Sequence, residues 1–300
     1  MFRSVKGFLK FISVERGIML FMIVMGATFL MEERVTLLRA IYLGFIVFCG
    51  WSGVDAINNV YDVDLDVKSD PLRAEYTKNL GRLGLCISII FFALSMSLGM
   101  ITGVPLVPVF VFAGILAGVL YSIPPFRFRQ TIYKPLVNFS VGAVPILIVA
   151  AFFNVFTVQV WSLMLLIGIT TAVNSLWEDL ADYTSDFEAR ARTMLVVLGF
   201  KRGLYATIVM GYCLIPLMIL VGTLFQLNLL YFFVLTTLAV YISLRLLQNR
   251  NVLFGGCKDY TESMFKLGEI FAKDFVIMAI VQTTNLMLSG YLKYQQVFLF

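Results

Sequence analysis

Long apolar stretches separated by short polar segments dominate the chain. Nine of these stretches approach the ~20 apolar residues that a helix needs to cross a hydrocarbon core at ~1.5 Å per residue. Strands of a membrane β-barrel would be about ten residues long and alternate in polarity, which these stretches do not. The pattern predicts an all-α polytopic membrane protein, a bundle of about nine transmembrane helices. The predicted spans are residues 17–31, 36–58, 84–103, 105–122, 137–156, 158–178, 204–225, 227–247 and 271–291.

Composition supports the membrane assignment and argues against a soluble globular protein. Hydrophobic residues make up 60% of the 300-residue chain and charged residues 14%, whereas soluble domains have about 45–50% and about 25%. No linker-like or low-complexity segment interrupts the apolar stretches. We therefore expect a single transmembrane domain over residues 1–300. Residues 1–16 are charged and lack a signal-peptide pattern, so the first span is expected to be permanent.

The net charge of +5 reflects topology and does not indicate a nucleic-acid partner. Most of the 23 Lys and Arg residues lie before the first predicted span and in every second connection after it. Because cytoplasmic segments of membrane proteins are enriched in Lys and Arg, this arrangement predicts a cytoplasmic N-terminus. The four cysteines are scattered without metal-ligand spacing and the chain has no histidine. A disulfide, a zinc site and imidazole chemistry are therefore not expected.

Two acidic segments, residues 58–66 and 179–186, each close an even-numbered span and share the pattern [N/D]-x-x-D-x-x-x-D. Carboxylates near a membrane interior are costly to keep, which makes them candidates for function. Asp62 and Asp182 lie 120 residues apart, and each segment precedes a long polar connection that is predicted to be cytoplasmic. This spacing predicts two pseudo-repeated four-helix halves, followed by a ninth helix.

The oxygen-rich side chains of the two segments favour a magnesium site. Residues three, four and seven apart share one face of a helix, so each segment presents a stripe of oxygen ligands. Hard Mg²⁺ is typically held by one or two carboxylates together with substrate phosphates. Two facing stripes therefore suit a diphosphate bound through Mg²⁺. The candidate metal ligands are Asn58, Asn59, Asp62, Asp66, Asp179, Asp182 and Asp186, of which Asp62, Asp66, Asp182 and Asp186 are also the candidate catalytic residues.

A third segment lies between the acidic ones and reads Tyr-Ser-Ile-Pro-Pro over residues 121–125, followed by Asn138 at the start of the next span. With the two acidic segments and the stretch over residues 192–199, it makes the whole chain resemble the UbiA superfamily of intramembrane prenyltransferases. The resemblance implies a helical membrane enzyme that uses Mg²⁺ to transfer an isoprenyl group from its diphosphate to a lipophilic acceptor. The expected acceptor is a quinone precursor or an ether-lipid glycerol phosphate.

Basic and polar side chains near these segments are the candidates for substrate binding. Arg and Lys bind phosphate oxygens, and aromatic faces attract an allylic cation. For each basic residue, a role in setting membrane topology is an open alternative. For the aromatic and amide side chains, the alternatives are packing and hydrogen bonds between helices. The candidates are Arg16, Arg73, Lys78, Tyr121, Arg127, Arg129, Lys134, Asn138 and Asn174.

Two departures from the family pattern lie at the first acidic segment. Asn59 stands where many members have Asp, which removes one negative charge. The connection after the segment, residues 70–78, also differs from the common form. Two other functions stay open from the sequence: an intramembrane terpene cyclase of the same fold, and a cation transporter with carboxylates on pseudo-symmetric halves. The oligomeric state is not predicted.

Overall fold

The computed structural model describes residues 2–32, 35–63, 67, 70–254 and 262–298. Within these ranges the regular structure consists of helices alone. A 3₁₀ turn, Phe128–Gln130, lies between α6 and α7. The helices are α1 (Phe2–Phe11), α2 (Val14–Met31), α3 (Leu37–Tyr61), α4 (Pro71–Leu80), α5 (Arg82–Ile101), α6 (Leu106–Ser122), α7 (Lys134–Phe153), α8 (Val158–Ala181), α9 (Tyr183–Glu188), α10 (Met194–Leu198), α11 (Phe200–Leu224), α12 (Leu229–Gln248), α13 (Arg250–Phe254) and α14 (Glu262–Phe298).

The nine predicted spans correspond to nine apolar helices. Eight of them, α2, α3, α5, α7, α8, α11, α12 and α14, are long and apolar enough to cross a membrane. The ninth, α6, is apolar and has 17 residues. The last helix extends beyond its predicted span at both ends and covers 37 residues. The prediction of an all-α polytopic membrane protein is confirmed.

The apolar helices pack as a closed ring in chain order. Each helix of the series α2, α3, α5, α6, α7, α8, α11, α12 and α14 contacts the next, and α14 returns to pack on α2. Additional contacts join α3 to α6, α2 to α7 and α8 to α14. In α3 and α8, the two helices that end in the acidic segments, at least half of the apolar stretch is buried inside the bundle.

Side-chain caps mark the starts of several helices in this ring. Thr36 accepts a hydrogen bond from the Arg39 N–H at the start of α3, and Asn228 does the same for Tyr231 at the start of α12. Such caps satisfy backbone donors that have no partner within the helix. They stabilise the first turns of α3 and α12.

Two helices lie outside the ring, next to the first acidic segment. The amphipathic α1 packs against α4, and Gly7 lies so close to Tyr76 that a Cβ there would approach Tyr76 Cδ2 to 2.5 Å. Asp70 caps α4 by accepting from the Arg73 N–H at 3.2 Å, and it also pairs with Lys10 of α1 at 2.6 Å. Together α1 and α4 cover the end of α3.

Candidate active site

The two acidic segments have the same backbone geometry. Helices α3 and α8 end at Tyr61 and Ala181, and the next residues, Asp62 and Asp182, have (φ, ψ) of (−106°, 7°) and (−94°, 5°). The N–H of each aspartate donates to the carbonyl four residues earlier at 2.9 Å. The pseudo-repeat seen in the sequence therefore extends to backbone conformation.

The first acidic segment is neutralised by two arginines. Asp62 is 1% exposed, and its Oδ1 accepts from Arg127 Nη2 at 2.9 Å, while Oδ2 accepts from Arg129 Nη1. Arg127 Nη2 also donates to the Tyr61 carbonyl at 3.2 Å. Both oxygens of a buried carboxylate are thus held by guanidinium groups, whose charge-assisted hydrogen bonds are stronger than neutral ones.

The connection between α6 and α7 supplies these arginines. Arg127 has a left-handed backbone conformation with φ of 38°, and the 3₁₀ turn follows directly. This bend allows two arginines separated by one residue to reach the same carboxylate. The Gln130 carbonyl then accepts from the Arg192 N–H at 2.9 Å, so the connection also bonds to the chain that follows the second acidic segment.

The second acidic segment is neutralised by a lysine. Lys134, 5% exposed, pairs through its Nζ with Oδ1 of Asp179, which is 1% exposed. The other oxygen of Asp179, Oδ2, is buried and has no hydrogen-bond partner among the described residues. Asp182 and Asp186 are half-buried. Burial raises the pKa of Asp186 above its ordinary value, an effect that Lys134 opposes and the charge of Asp182 reinforces.

One arginine lies between the two segments. Arg129 pairs with Asp62 and interacts electrostatically with Glu178 and Asp186 of the second segment. Tyr121, at the end of α6, interacts electrostatically with Arg129 and Lys134 as well. The structure therefore brings the basic residues of one connection together with both acidic segments.

A second ion pair joins the two halves of the bundle. Arg16 at the start of α2 contacts Glu178 Oε1 at 2.9 Å, and Asn174 donates to the same oxygen at 3.0 Å. Arg16 also interacts electrostatically with the buried Asp55 of α3. Glu178 and Asp55 are not among the site residues predicted from the sequence. The sequence could have indicated both as candidates for function, because each is a carboxylate within a predicted apolar span.

The remaining candidates have varied surroundings. Asn58 Oδ1 accepts from Ser122 at 3.2 Å, and Asn59 Nδ2 donates to the Phe11 carbonyl at 2.7 Å. Asn138 donates to the Lys134 carbonyl at 3.1 Å, within its own helix. These amides bond to protein groups in the structure.

The two candidates on α4 differ in burial. Arg73 is half-buried and interacts electrostatically with Asp55, whereas Lys78 is exposed. Asp66 lies outside the described residues. No contact of Lys78 with the acidic segments is found within the described part of the chain.

The donor set fits a magnesium ion. Within the described ranges no three carboxylate, cysteine or histidine side chains are close enough to form a metal centre by themselves. Mg²⁺ commonly takes only one or two carboxylates and completes its coordination with water and substrate phosphates. The unpartnered Oδ2 of Asp179 is an oxygen ligand of the type this ion prefers.

Two of the apolar cavities among the described residues are lined by different sets of helices. The first, of about 60 Å³, is lined by residues of α2, α3, α5, α6 and α7, including Trp51 and Pro145. The second, of about 110 Å³, lies among α8, α11, α12 and α14 and includes Trp177. Trp177, which lines the second cavity, directly precedes Glu178 in α8.

These features define a class of protein, an intramembrane enzyme whose charged site is built at the ends of apolar helices. The sequence profile described as the UbiA prenyltransferase family matches residues 19–252. The chain belongs to the UbiA prenyltransferase family. This confirms the resemblance seen in the sequence and the expected class of enzyme, a membrane prenyltransferase. No match was found among curated proteins.

Solved structures of the same fold come from several proteins. A UbiA homologue from Archaeoglobus fulgidus bound to DMAPP and Mg²⁺ is 16% identical, with a TM-score of 0.67 over 96% of this chain and 99% of that chain. A digeranylgeranylglyceryl phosphate synthase is 15% identical, with a TM-score of 0.65 over 96% and 98%. The apo structure of a UbiA homologue from Aeropyrum pernix K1 is 14% identical, with a TM-score of 0.65 over 89% and 98%. At these identities the similarity shows a shared fold.

Proposed function

We propose that the protein transfers an isoprenyl group from an allylic isoprenyl diphosphate to a lipophilic acceptor. The observation that carries this proposal is the contact of one basic connection with both acidic segments. Arg127 and Arg129 pair with Asp62, and Lys134 pairs with Asp179. A diphosphate between the segments would meet three cations, while the carboxylates would remain available for Mg²⁺.

Asp62, Asp66, Asp179, Asp182 and Asp186, with the amide oxygen of Asn58, are the residues that would hold Mg²⁺. The bound ion would supply positive charge to the diphosphate as a leaving group. The homologue from Archaeoglobus fulgidus binds DMAPP or GPP together with Mg²⁺, which supports the same requirement here. Arg127, Arg129 and Lys134 would exchange their aspartate partners for phosphate oxygens.

The reaction would begin when the allylic C–O bond breaks and its electron pair stays on the diphosphate. Arg127 and Arg129 can form forked hydrogen bonds to the developing negative charge, which stabilises the transition state. The allylic carbon then bonds to an oxygen or carbon of the acceptor, which loses a proton. Tyr121 lies beside the cations, where its ring can face the allylic group.

The acceptor is proposed to be a lipid-soluble molecule, either a quinone precursor or an ether-lipid glycerol phosphate. Structural similarity to a digeranylgeranylglyceryl phosphate synthase supports the second class. We further propose that residues 1–300 form one domain with its N-terminus and both acidic segments on the cytoplasmic side. The concentration of Lys and Arg in alternate connections supports this orientation.

Product analysis tests the proposal. Purified protein in lipid would be given geranylgeranyl diphosphate or shorter diphosphates with a panel of acceptors, in Mg²⁺ or in excess EDTA. We expect an acceptor with one added isoprenyl group, detected by mass spectrometry, only in Mg²⁺. Cyclic products without an acceptor would instead establish a terpene cyclase. Mg²⁺ flux in proteoliposomes without any diphosphate would favour a transporter.

A further inference from the structure

The equivalent positions of the two acidic segments carry different side chains. Asn59 in the first segment and Asp179 in the second each lie three residues before the aspartate that follows the helix. Both are 1% exposed. Asp179 faces the cation of Lys134, whereas Asn59 faces a carbonyl oxygen.

That carbonyl belongs to the end of the N-terminal helix. Phe11 is the last residue of α1, and Ser13 then has a left-handed backbone with φ of 43°. Carbonyls in the last turn of a helix have no partner within the helix. Asn59 Nδ2 satisfies the Phe11 carbonyl at 2.7 Å in a buried setting.

The chemistry of this contact requires a hydrogen-bond donor at position 59. An ionised carboxylate only accepts hydrogen bonds, so an aspartate at position 59 would oppose the Phe11 carbonyl. Phe11 is itself fully buried and packs with Ile12 and Ala56, so α1 has little room to move away. Asn59 thus stands at this position because its partner is an acceptor, as Asp179 stands at the equivalent position because its partner is a cation.

We propose that Asn59 is a positioning residue that anchors α1 to the first acidic segment and is not a metal ligand. By holding α1 against the last turn of α3, the anchor would fix the position of Asp62, one turn further on. The ion pair of Lys10 with Asp70 would hold the other side of α1. This positioning role replaces the metal-binding role predicted for Asn59, and only its effect on transfer rests on the proposed function.

Three variants test the anchor. Asn59→Leu removes the donor without adding charge, and Asn59→Asp restores the residue common in the family. Lys10→Met loosens α1 without touching the acidic segment. Hydrogen exchange of residues 2–13 reports the anchor, and the donor KM and the Mg²⁺ concentration for half-maximal transfer report the site.

We expect exchange of residues 2–13 to become about tenfold faster in Asn59→Leu, because a buried acceptor loses its partner. The donor KM and the Mg²⁺ concentration for half-saturation should both rise in this variant and in Asn59→Asp, since a group that holds a metal ligand in place also affects metal affinity. Lys10→Met should speed exchange and raise the donor KM in the same direction, by less. If Asn59→Asp does not fold, Asn59→Leu and Lys10→Met still decide the matter.

A metal ligand would behave differently. It would shift half-saturation by Mg²⁺ in Asn59→Leu but not in Lys10→Met, and Asn59→Asp would need less Mg²⁺ than the unaltered protein. Either result, with unchanged exchange of α1, would overturn the proposal. Faster exchange with an unchanged donor KM would reduce Asn59 to a purely structural contact and overturn its positioning role. If the unaltered protein transfers no isoprenyl group, the proposed function fails, whereas the exchange experiment still tests the anchor.

Discussion

The two acidic segments share their backbone geometry and differ in their partners. Asp62 is held through both oxygens by two arginines, whereas Asp179 is held through one oxygen by a lysine. Within the part of the chain that the structure describes, the second oxygen of Asp179 has no hydrogen-bond partner. Arginine forms a planar fork that grips two oxygens, while lysine acts as a compact point charge.

A single connection explains this difference. All three cations come from residues 127–134, the connection after α6 and the first residue of α7, so the helices of the first half do not supply the counterions of Asp62. The repeat therefore provides two matched sets of carboxylates, and the connection between the halves makes them unequal. We infer that the first segment depends more on arginine geometry and the second has more free ligand capacity.

The largest expected effect comes from removing a carboxylate of each segment. Asp62→Ala and Asp182→Ala should each lower Mg²⁺-dependent transfer by about 10³-fold or more, because groups that stabilise transition-state charge each contribute on this scale. Transfer rates of the purified variants would be compared with those of Glu262→Ala, whose carboxylate is exposed and pairs with Lys266 on the same helix. If either variant retained its turnover, the acidic segment that it alters would be dispensable. The two segments would then not both contribute to transfer.

The next largest effect is on stability. Lys134→Met should destabilise the protein by about 3–5 kcal/mol, because removing one partner of a buried ion pair leaves the other charge uncompensated. Lys266→Met breaks an exposed pair and should cost about 0.5 kcal/mol or less. Replacing both Lys134 and Asp179 by apolar residues should restore much of the loss. Unfolding in detergent would measure all three, and equal losses for the two single variants would mean that Asp179 does not depend on Lys134.

Much of the fold could be predicted from the sequence, because bilayer thickness dictates span length. The predicted span of residues 36–58 and the observed Leu37–Tyr61 differ by a few residues at the C-terminal end. The end of α14 was less predictable, since its helix continues through residues 292–298, which are only moderately apolar. The 120-residue spacing of Asp62 and Asp182 predicted a repeat, and these two residues have matching backbone angles in the structure.

Pairing within the site could not be predicted in the same way. Arg127 and Arg129 reach Asp62 only because Arg127 is left-handed, a conformation that its sequence does not signal. Asn59 meets a backbone carbonyl 48 residues away, and backbone groups leave no pattern in side-chain identity. The pair of Arg16 with Glu178 joins the two halves of the bundle, so it depends on packing between helices.

A smaller effect is expected from filling the second cavity, which Trp177 and Gly211 line. A Cβ on Gly211 would meet only Trp177 Cζ2, at 3.9 Å, so Gly211→Leu can extend into the cavity without moving the backbone. If this cavity holds the isoprenyl chain, kcat/KM should fall about tenfold for long donors and little for the shortest, a range typical of apolar-pocket discrimination. Gly211→Ala is the control and should retain activity. An equal loss for all donor lengths would place the chain elsewhere, and the first cavity would be tested next.

The smallest effect concerns the pair that holds α1 to α4. Burial acts to raise the pKa of Asp70, but the hydrogen bond from Lys10 and the Arg73 N–H outweigh it and hold the pKa below its ordinary value. A lowered pKa means that ionised Asp70 stabilises the fold at pH values above its ordinary pKa of 3.8. This contribution disappears as the pH falls through the lowered pKa.

Asp70→Asn should therefore cost under about 1 kcal/mol of unfolding free energy at pH 7, as partly exposed pairs do. The difference in unfolding free energy between Asp70→Asn and the unaltered protein should shrink as the pH is lowered toward about 3. A difference that grows with acidity would show that Asp70 is strained in the ionised state, and α1 would then be held to the first segment by Asn59 alone.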